Sequence, residues 1–284
     1  MNYKKINPKE SDIKSIYHLM IAGIAPRPIA LVGSIDFQNN VNLAPFSFFN
    51  GFGSNPPIVG FSPTLSGRTG HPKDTLLNIQ DTKEFTISIV TSDIVNQVSL
   101  ASCEFAKGID EFDKSGLNKH SSNFIKVPGV KESPFIMECK LHEIIKLGDQ
   151  PGSGNLILGE ILMFHVANSI TDLEGNIDTT KIDHVARNGG PWYSLTKDSL
   201  FKLNKPNGLG IGFDSLPDEL IYSELKGSEL AKLASINEIP SLVDKKDSLD
   251  IDLDILIIKI SKCLSNDAII EAWSLFLNWK KKNE

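Results

Sequence analysis

The sequence predicts an α+β protein that is mainly β, followed by a helical C-terminal extension. Three observations lead there. Ile29–Ile35 and Val41–Phe49 are strand-like runs on either side of Asp36-Phe37-Gln38-Asn39-Asn40, a turn rich in residues that tolerate left-handed backbone. Phe135–Leu147 and Leu156–Ile170 read as two long strands joined by the turn Asp149-Gln150-Pro151-Gly152-Ser153-Gly154. From about residue 200 the composition shifts, and apolar residues then recur at helical spacing. The expected division is a domain over residues 1–204 and a mostly helical extension over 205–284.

The bulk properties narrow the function. A chain of 284 residues with 40% hydrophobic and 23% charged residues is globular and can bury a stable core without covalent staples. A net charge of −6 gives no general attraction to nucleic acid or anionic lipid, and Lys280-Lys281-Lys282 reads as a solvated helix end. Cys103, Cys139 and Cys263 form no zinc spacing and read as reduced thiols of a cytoplasmic protein. The N-terminus has no apolar signal region, and no run of about 18 apolar residues offers a membrane span. The six His form no HExxH and no i, i+4 pair, so a metal site has little support.

Taken in order, residues 1–20 form an entry segment in which Ser15–Met20 reads as a short turn or strand. Pro26-Arg27-Pro28 fixes an extended approach and holds Arg27 on a stiff backbone, either beside a strand start or aimed at an anion or ring edge. After the hairpin, Pro57–Pro63 is a third strand. Lys73 to Lys83 is a helix with Leu76, Leu77 and Ile79 on its buried face. Pro72 suits its first turn and Asp74 its dipole. Glu84–Thr91 alternates as a strand, and Ser92 or Asp93 caps a helix to about Cys103. Residues 104–134 read as a long polar loop, a lid or dimer arm. Asp172–Asp183 is a further turn. Lys205-Pro206-Asn207-Gly208 is a linker, and Gly208-Leu209-Gly210-Ile211-Gly212 lacks the spacing of a dinucleotide fingerprint. Ser228–Ser235, Asp252–Leu264 and Asp267–Lys282 read as helices, the last capped by Ser265 or Asn266. The Asp250-Asp252-Asp254 alternation lacks the glycine and closing Glu of a calcium loop. This tail is most simply a packing or oligomerisation element.

Three stretches carry the candidate chemistry. Ala44-Pro45-Phe46-Ser47-Phe48-Phe49-Asn50 places a Pro, three Phe and two hydrogen-bonding side chains where a core strand would hold Val, Ile and Leu. It is either a buried aromatic strand or one wall of a site for a planar heteroaromatic ring such as a flavin. The loop from Ser66 to Thr75 gathers Arg68, Lys73, Thr69 and Thr75 where a helix N-terminus exposes N–H groups. That is a simple cap or a cradle for a phosphate monoester, and it is not a P-loop. Arg187-Asn188-Gly189-Gly190-Pro191-Trp192-Tyr193 sets a planar cation beside two glycines and two aromatics.

These stretches resemble the flavin reductase-like, FMN-binding split-barrel family, including flavoredoxin-type proteins. Pro26–Val32, Ser54-Asn55-Pro56-Pro57, Lys73–Ile79, Gly108-Ile109-Asp110-Glu111-Phe112, Glu132-Ser133-Pro134 and Leu158-Gly159-Glu160 belong to the same resemblance, which covers roughly residues 15–205. It implies a split β-barrel and a homodimer with FMN near the subunit interface. Ala44, Pro45, Phe46, Ser47, Phe48, Phe49 and Asn50 would line the isoalloxazine, and Arg68, Lys73 and Thr75 would meet the phosphate. Arg27, Ser62, Arg187, Trp192 and Tyr193 would be ring or ribityl contacts. His71 stands in a loop that departs from the family's usual approach to Lys-Asp-Thr. The implied reaction passes hydride from NADH or NADPH through FMN to a flavin or other acceptor, with no acid, base or nucleophile required of the protein. Two alternatives remain: a non-catalytic FMN electron carrier reduced by a partner, and a flavin-free module whose tail docks a partner.

Overall fold

The computed structural model describes residues 1–203, 208, 210–241 and 251–283. The chain forms two compact units, Met1–Leu200 and Phe201–Glu284. The expected boundary at 204/205, the linker residues Lys205-Pro206-Asn207, Leu209 of the glycine-rich stretch and Asp250 of the acidic alternation lie outside the described residues.

The first unit opens with helix α1 (Ile13–Gly23), where the sequence suggested a turn or strand at Ser15–Met20. Its start is set by Asp12, whose carboxylate accepts from the Ser15 N–H (2.9 Å) and hydroxyl (2.6 Å). Then come β1 (Arg27–Pro28), β2 (Ala30–Ile35), β3 (Val41–Phe46), β4 (Phe49–Ser54) and β5 (Pro57–Phe61). They are followed by α2 (Asp74–Thr82), β6 (Glu84–Ile89), α3 (Val95–Ala101), α4 (Glu111–Ser115), β7 (Lys119–His120) and β8 (Gly129–Val130). The long strands β9 (Phe135–Lys146) and β10 (Asn155–Val166) precede β11 (Val185–Arg187) and β12 (Tyr193–Leu195).

Seven strands form one antiparallel sheet in the order β3-β2-β6-β9-β10-β5-β4. The expected hairpin is present as β2 and β3, with Ala30 opposite Phe46 and Ile35 opposite Val41. Its turn is closed by Asp36, whose Oδ1 accepts from the N–H groups of Gln38 (2.8 Å) and Asn40 (2.9 Å). The expected strand Val41–Phe49 is, however, two strands. β3 stops at Phe46, Ser47 and Phe48 turn the chain, and Phe49 begins β4. Pro45 has no N–H to donate and sits on an edge strand, where one side of the ladder is unpaired. Because β3 and β4 are the opposite edges of the sheet, their short link forces those edges together and curls the sheet into a barrel.

Both faces of β2 are buried, which explains its unbroken apolar run. Ala30 and Val32 join Phe61, Phe85, Ile87, Met137 and Ile157 in one core, while Ile29 and Leu31 pack with Val98 and Phe112 in another. Gly159 is required there, because any Cβ would collide with the Phe85 ring. Helix α2 buries Leu76 and Ile79 as expected, but Leu77 is exposed, and Thr75 and Asn78 take the buried positions. Ile94 holds the N-cap position of α3 without a side-chain bond, where Ser92 or Asp93 was expected.

Residues 104–134 are not the polar loop the sequence suggested. Phe112, Leu117, Val127 and Val130 are buried, and the segment carries α4, β7 and β8. Its anchor is Glu138 on β9, which is fully buried. The carboxylate accepts from the N–H groups of Asn123 (2.7 Å), Phe124 (2.7 Å) and Ile125 (3.3 Å). It also lies 2.6 Å from His165 Nε2, and His165 Nδ1 lies 3.2 Å from His120 Nε2. Burial opposes ionisation of Glu138, but the Asn123 N–H, His165 and the Phe124 N–H outweigh it and hold the carboxyl below its ordinary range.

The second unit contains α5 (Asp218–Ile221), α6 (Gly227–Leu233), α7 (Leu253–Ser265) and α8 (Ile269–Asn283). The last three match the expected helices within a few residues, although Asn266 closes α7 instead of capping α8. Leu220, Leu233, Leu256, Ile260, Trp273 and Phe276 make its own core, and Trp273 Nε1 donates to the Leu233 carbonyl at 3.1 Å. Among the described residues no helix is long and apolar enough to cross a membrane, and no group of three or more His, Cys, Asp or Glu is placed to hold a metal ion.

Glu138→Gln is expected to destabilise the protein by about 3 kcal/mol or more, because an amide cannot accept all the bonds the buried carboxylate takes. Urea unfolding at neutral pH measures this. Since the folded carboxyl titrates below its unfolded value, the contribution is present at neutral pH and is lost as the pH falls through that lowered value. The gap between wild type and variant should therefore close in acid, and a constant gap would contradict the assignment.

Candidate functional site

A cleft of about 220 Å³ lies between the end of β3, the N-terminus of α2, the segment after α3 and α4. Asn42, Leu43, Ala44, Pro45 and Phe46 line one part, Pro72, Lys73, Asp74 and Thr75 another, and Ala101 to Phe105 with Glu111 the rest. The apolar contribution comes from β3, where Phe46 also packs against Phe61 with ring centroids 5.2 Å apart.

The polar end is the start of α2. Lys73 occupies its N-cap position, and its side chain makes no capping bond. Among the described residues no acceptor meets the N–H groups of Asp74 and Thr75. The start of this nine-residue helix thus presents open N–H groups beside an ammonium, donors of the kind that can meet an anion. Thr75 is buried, and its Oγ1 accepts from Asn42 Nδ2 at 2.9 Å, which fixes α2 against β3. Asn78 Nδ2, one turn further on, donates to Ser34 Oγ at 3.2 Å. Lys73 Nζ meets the Glu104 carboxylate at 2.9 Å. Glu104 is held below the ordinary carboxylate range by the hydrogen bond from Lys73, then by the charges of Lys73 and Arg68.

Glu111 forms the inner boundary. Its Oε2 accepts from the Leu43 N–H at 2.9 Å, joining α4 to β3. Burial pushes its carboxyl upward, opposed by the Leu43 N–H and aided by the charges of Asp110 and Asp74. A water-sized cavity of about 20 Å³ also borders Asn42, Asp74 and Glu111 and reaches Asp36 and Lys107.

The structure therefore gathers Ala44, Pro45, Phe46, Lys73 and Thr75 in one cleft, and Arg68 bears on it through its charge. Ser47 and Phe48 form the link beyond β3, and Phe49 and Asn50 continue into β4. Ser62 follows β5, where its N–H donates to the Phe48 carbonyl at 2.9 Å. Arg27 is buried, and its guanidinium donates to the carbonyls of Ile21 and Ile24 at the end of α1. Those bonds hold its charge in the fold; its Nε also reaches Ser47 Oγ at 3.4 Å. Arg187 on β11 and Tyr193 on β12 belong to the separate sheet β1-β11-β12, where Arg27 of β1 stands opposite Arg187, and Trp192 lies between β11 and β12. Arg187 stacks on Tyr193 at 4.5 Å and donates to the Gly190 carbonyl at 3.1 Å, and Trp192 is exposed. Asn42, Cys103, Glu104 and Phe105 line the cleft without having been singled out from the sequence. Glu111 was visible there only within the Gly108–Phe112 piece.

Comparison with known proteins gives this architecture a family. Residues 22–177 match the flavin reductase like domain. A protein of Aquifex aeolicus is 35% identical over 186 residues, across 65% of this chain and 92% of the relative. Nitrilotriacetate monooxygenase component B from Bacillus cereus superposes with a TM-score of 0.66 at 30% identity, covering 72% of this chain and 99% of that one. The 2-nitrobenzoate 2-nitroreductase of Pseudomonas fluorescens gives 0.65 at 29% identity, covering 72% of this chain and 98% of that one. The chain belongs to the flavin reductase-like family, and its curled sheet is that family's split barrel.

Thiol chemistry reads the cleft directly. Cys103 is exposed and lines it, whereas Cys139 is buried and burial pushes its thiol far upward. Iodoacetamide is expected to alkylate Cys103 in the native protein and Cys139 only after unfolding, as read by peptide mass spectrometry. Occupancy by FMN should slow Cys103 alkylation about tenfold at ~10 times Kd. An unchanged rate with FMN demonstrably bound would place the ligand elsewhere.

Proposed function

We propose that this protein is an FMN-dependent oxidoreductase that takes reducing equivalents from NADH or NADPH and delivers them to a flavin or another acceptor. The observation that carries this reading is the cleft itself, which joins an apolar strand end to an uncapped, cationic helix N-terminus. Its donor set fits FMN. Lys73 and the N–H groups of Asp74 and Thr75 would hold the phosphate, and Ala44, Pro45 and Phe46 would lie against the ring. FMN, when bound, supplies the capacity to accept hydride and to release electrons singly or in pairs.

The chain's own task is to bind, orient and shield. The Thr75–Asn42 bond holds the phosphate end of the cleft in register with β3. The Glu111–Leu43 bond holds the strand end from the other side. Neither arrangement needs a nucleophile. Family membership supports the redox reading, as do a monooxygenase component and a nitroreductase among the structural relatives.

We read the working form as a homodimer. At about 220 Å³ the open cleft of one copy is smaller than the ~300–1,000 Å³ of sites that enclose a ligand, so a partner surface would complete the cover over a flavin. Leu162, Phe164 and Val166 stand at alternate positions of β10 and are 37–46% exposed, with Phe135 against Phe164 at 5.6 Å. Such an apolar stripe suits a partner copy. The three free cysteines and the absence of a membrane-crossing helix among the described residues suit the cytoplasm.

The test is anaerobic stopped-flow mixing of FMN-loaded protein with NADH and with NADPH. The flavin absorbance should bleach with at least one of them at a rate matching turnover. Failure with both, together with reduction by a partner reductase, would replace the enzyme with an electron carrier. Failure to take up FMN at all would overturn the proposal.

A further inference from the structure

Glu104 is the carboxylate that meets Lys73 at the start of α2. It lines the cleft with Cys103 and Phe105, on the short segment between α3 and α4. Its Oε1 meets Lys73 Nζ at 2.9 Å, and the charge of Arg68 reaches it as well. Lys73 and Arg68 are two of the three groups that the family resemblance implies would meet the phosphate. The third, Thr75, lines the same cleft two residues beyond Lys73. One of the chain's own carboxylates thus occupies the Lys73 ammonium, while the N–H groups of Asp74 and Thr75 stay open among the described residues.

We infer that Glu104 competes with the ligand phosphate for Lys73, so that it weakens phosphate-bearing flavin selectively and keeps that ligand exchangeable. The inference rests on the phosphate end of the site proposed above. For a phosphate to engage Lys73, the Glu104 carboxylate must swing away or share the ammonium with a second anion. Either course costs affinity for FMN and nothing for riboflavin, which lacks the phosphate. The barrier is small, because both partners are substantially exposed. The side chain of Glu104 is 76% exposed and that of Lys73 42%, so solvent screens the pair. A weak internal competitor of this kind does not prevent binding. It shifts the balance from a permanently held cofactor toward one that leaves and returns. Glu104 is a specificity-determining residue here, since it reads the charge of the ligand and not its ring.

The experiment compares FMN and riboflavin affinities, by quenching of flavin fluorescence, for wild type, Glu104→Gln, Lys73→Ala and the double variant. Glu104→Gln should bind FMN about two- to fivefold more tightly, the scale of an exposed ion pair, with riboflavin unchanged. The gain should appear as slower FMN release. It should shrink in the double variant, where the shared ammonium is gone. Weaker FMN binding by Glu104→Gln would make Glu104 a ligand contact and overturn the inference. Equal changes for both flavins would make its role structural and overturn it too. Lys73→Ala separates this failure from that of the site. If it weakens FMN more than riboflavin while Glu104→Gln is silent, the phosphate site stands and only the competition fails. If it weakens both alike, the phosphate assignment fails and the inference falls with it.

Discussion

Ser47 and Phe48 are the only residues between β3 and β4, and those strands are the two outer edges of a seven-stranded sheet. A link of two residues spans at most about 11 Å between the flanking Cα atoms. The edges must therefore lie side by side, and the sheet must curl. Arg27 braces this link. Its Nε lies 3.4 Å from Ser47 Oγ and its guanidinium 5.9 Å from the Phe48 ring. Its Nη1 donates to the carbonyls of Ile21 and Ile24, where the C-terminal end of α1 favours a cation, and its Nη2 reaches the Asn188 carbonyl at 3.4 Å. The link thus sets where β3 ends, and the end of β3 is the apolar wall of the cleft.

Two buried acids tie further segments to the barrel, and one of them, Glu111, borders the cleft. Glu111 accepts from the Leu43 N–H and draws α4 onto β3. Glu138 gathers three consecutive backbone N–H groups from Asn123 to Ile125 and settles the segment beyond α4 against the barrel. Gly33 permits the same docking, since a Cβ there would meet Thr86 Oγ1 and the Pro128 carbonyl at 2.5–2.6 Å. In both cases a carboxylate does with hydrogen bonds what an apolar contact could not, because its partners are backbone groups that need acceptors.

Local signals made much of this visible in the sequence. Asp36 and Asn39 wrote the turn of the β2–β3 hairpin, and Asn39 adopts φ 63° there. Pro72 and Asp74 marked the start of α2, and Lys83 closes it at φ 65°. Ala44–Phe46, Lys73 and Thr75 could be named because their residue types are unusual for where they stand. Other features were decided by distant partners. α1 buries only Ile21 and leaves Ile13, Tyr17, Leu19 and Met20 open, so it has no clear apolar stripe to announce it. Residues 104–134 look polar because their order comes from Glu138, which resembles any charged residue on an alternating strand. Glu104 reaches Lys73 across 31 positions, and no spacing rule connects them. Arg27 was expected either beside a strand start or aimed at an anion or ring edge; its guanidinium lies 5.9 Å from the Phe48 ring and also donates to carbonyls of a helix that the sequence did not reveal.

The account turns on a division of labour. In the proposed reading the end of β3 would face the ring and the start of α2 would face the phosphate, with the two elements tied together by the Thr75–Asn42 and Glu111–Leu43 bonds. A crystal structure of the FMN complex tests it most directly. The phosphate oxygens should lie within hydrogen-bond distance of Lys73 Nζ and the N–H groups of Asp74 and Thr75, with the ring against Ala44–Phe46. A phosphate seated on Arg187, with the start of α2 left open, would contradict the account.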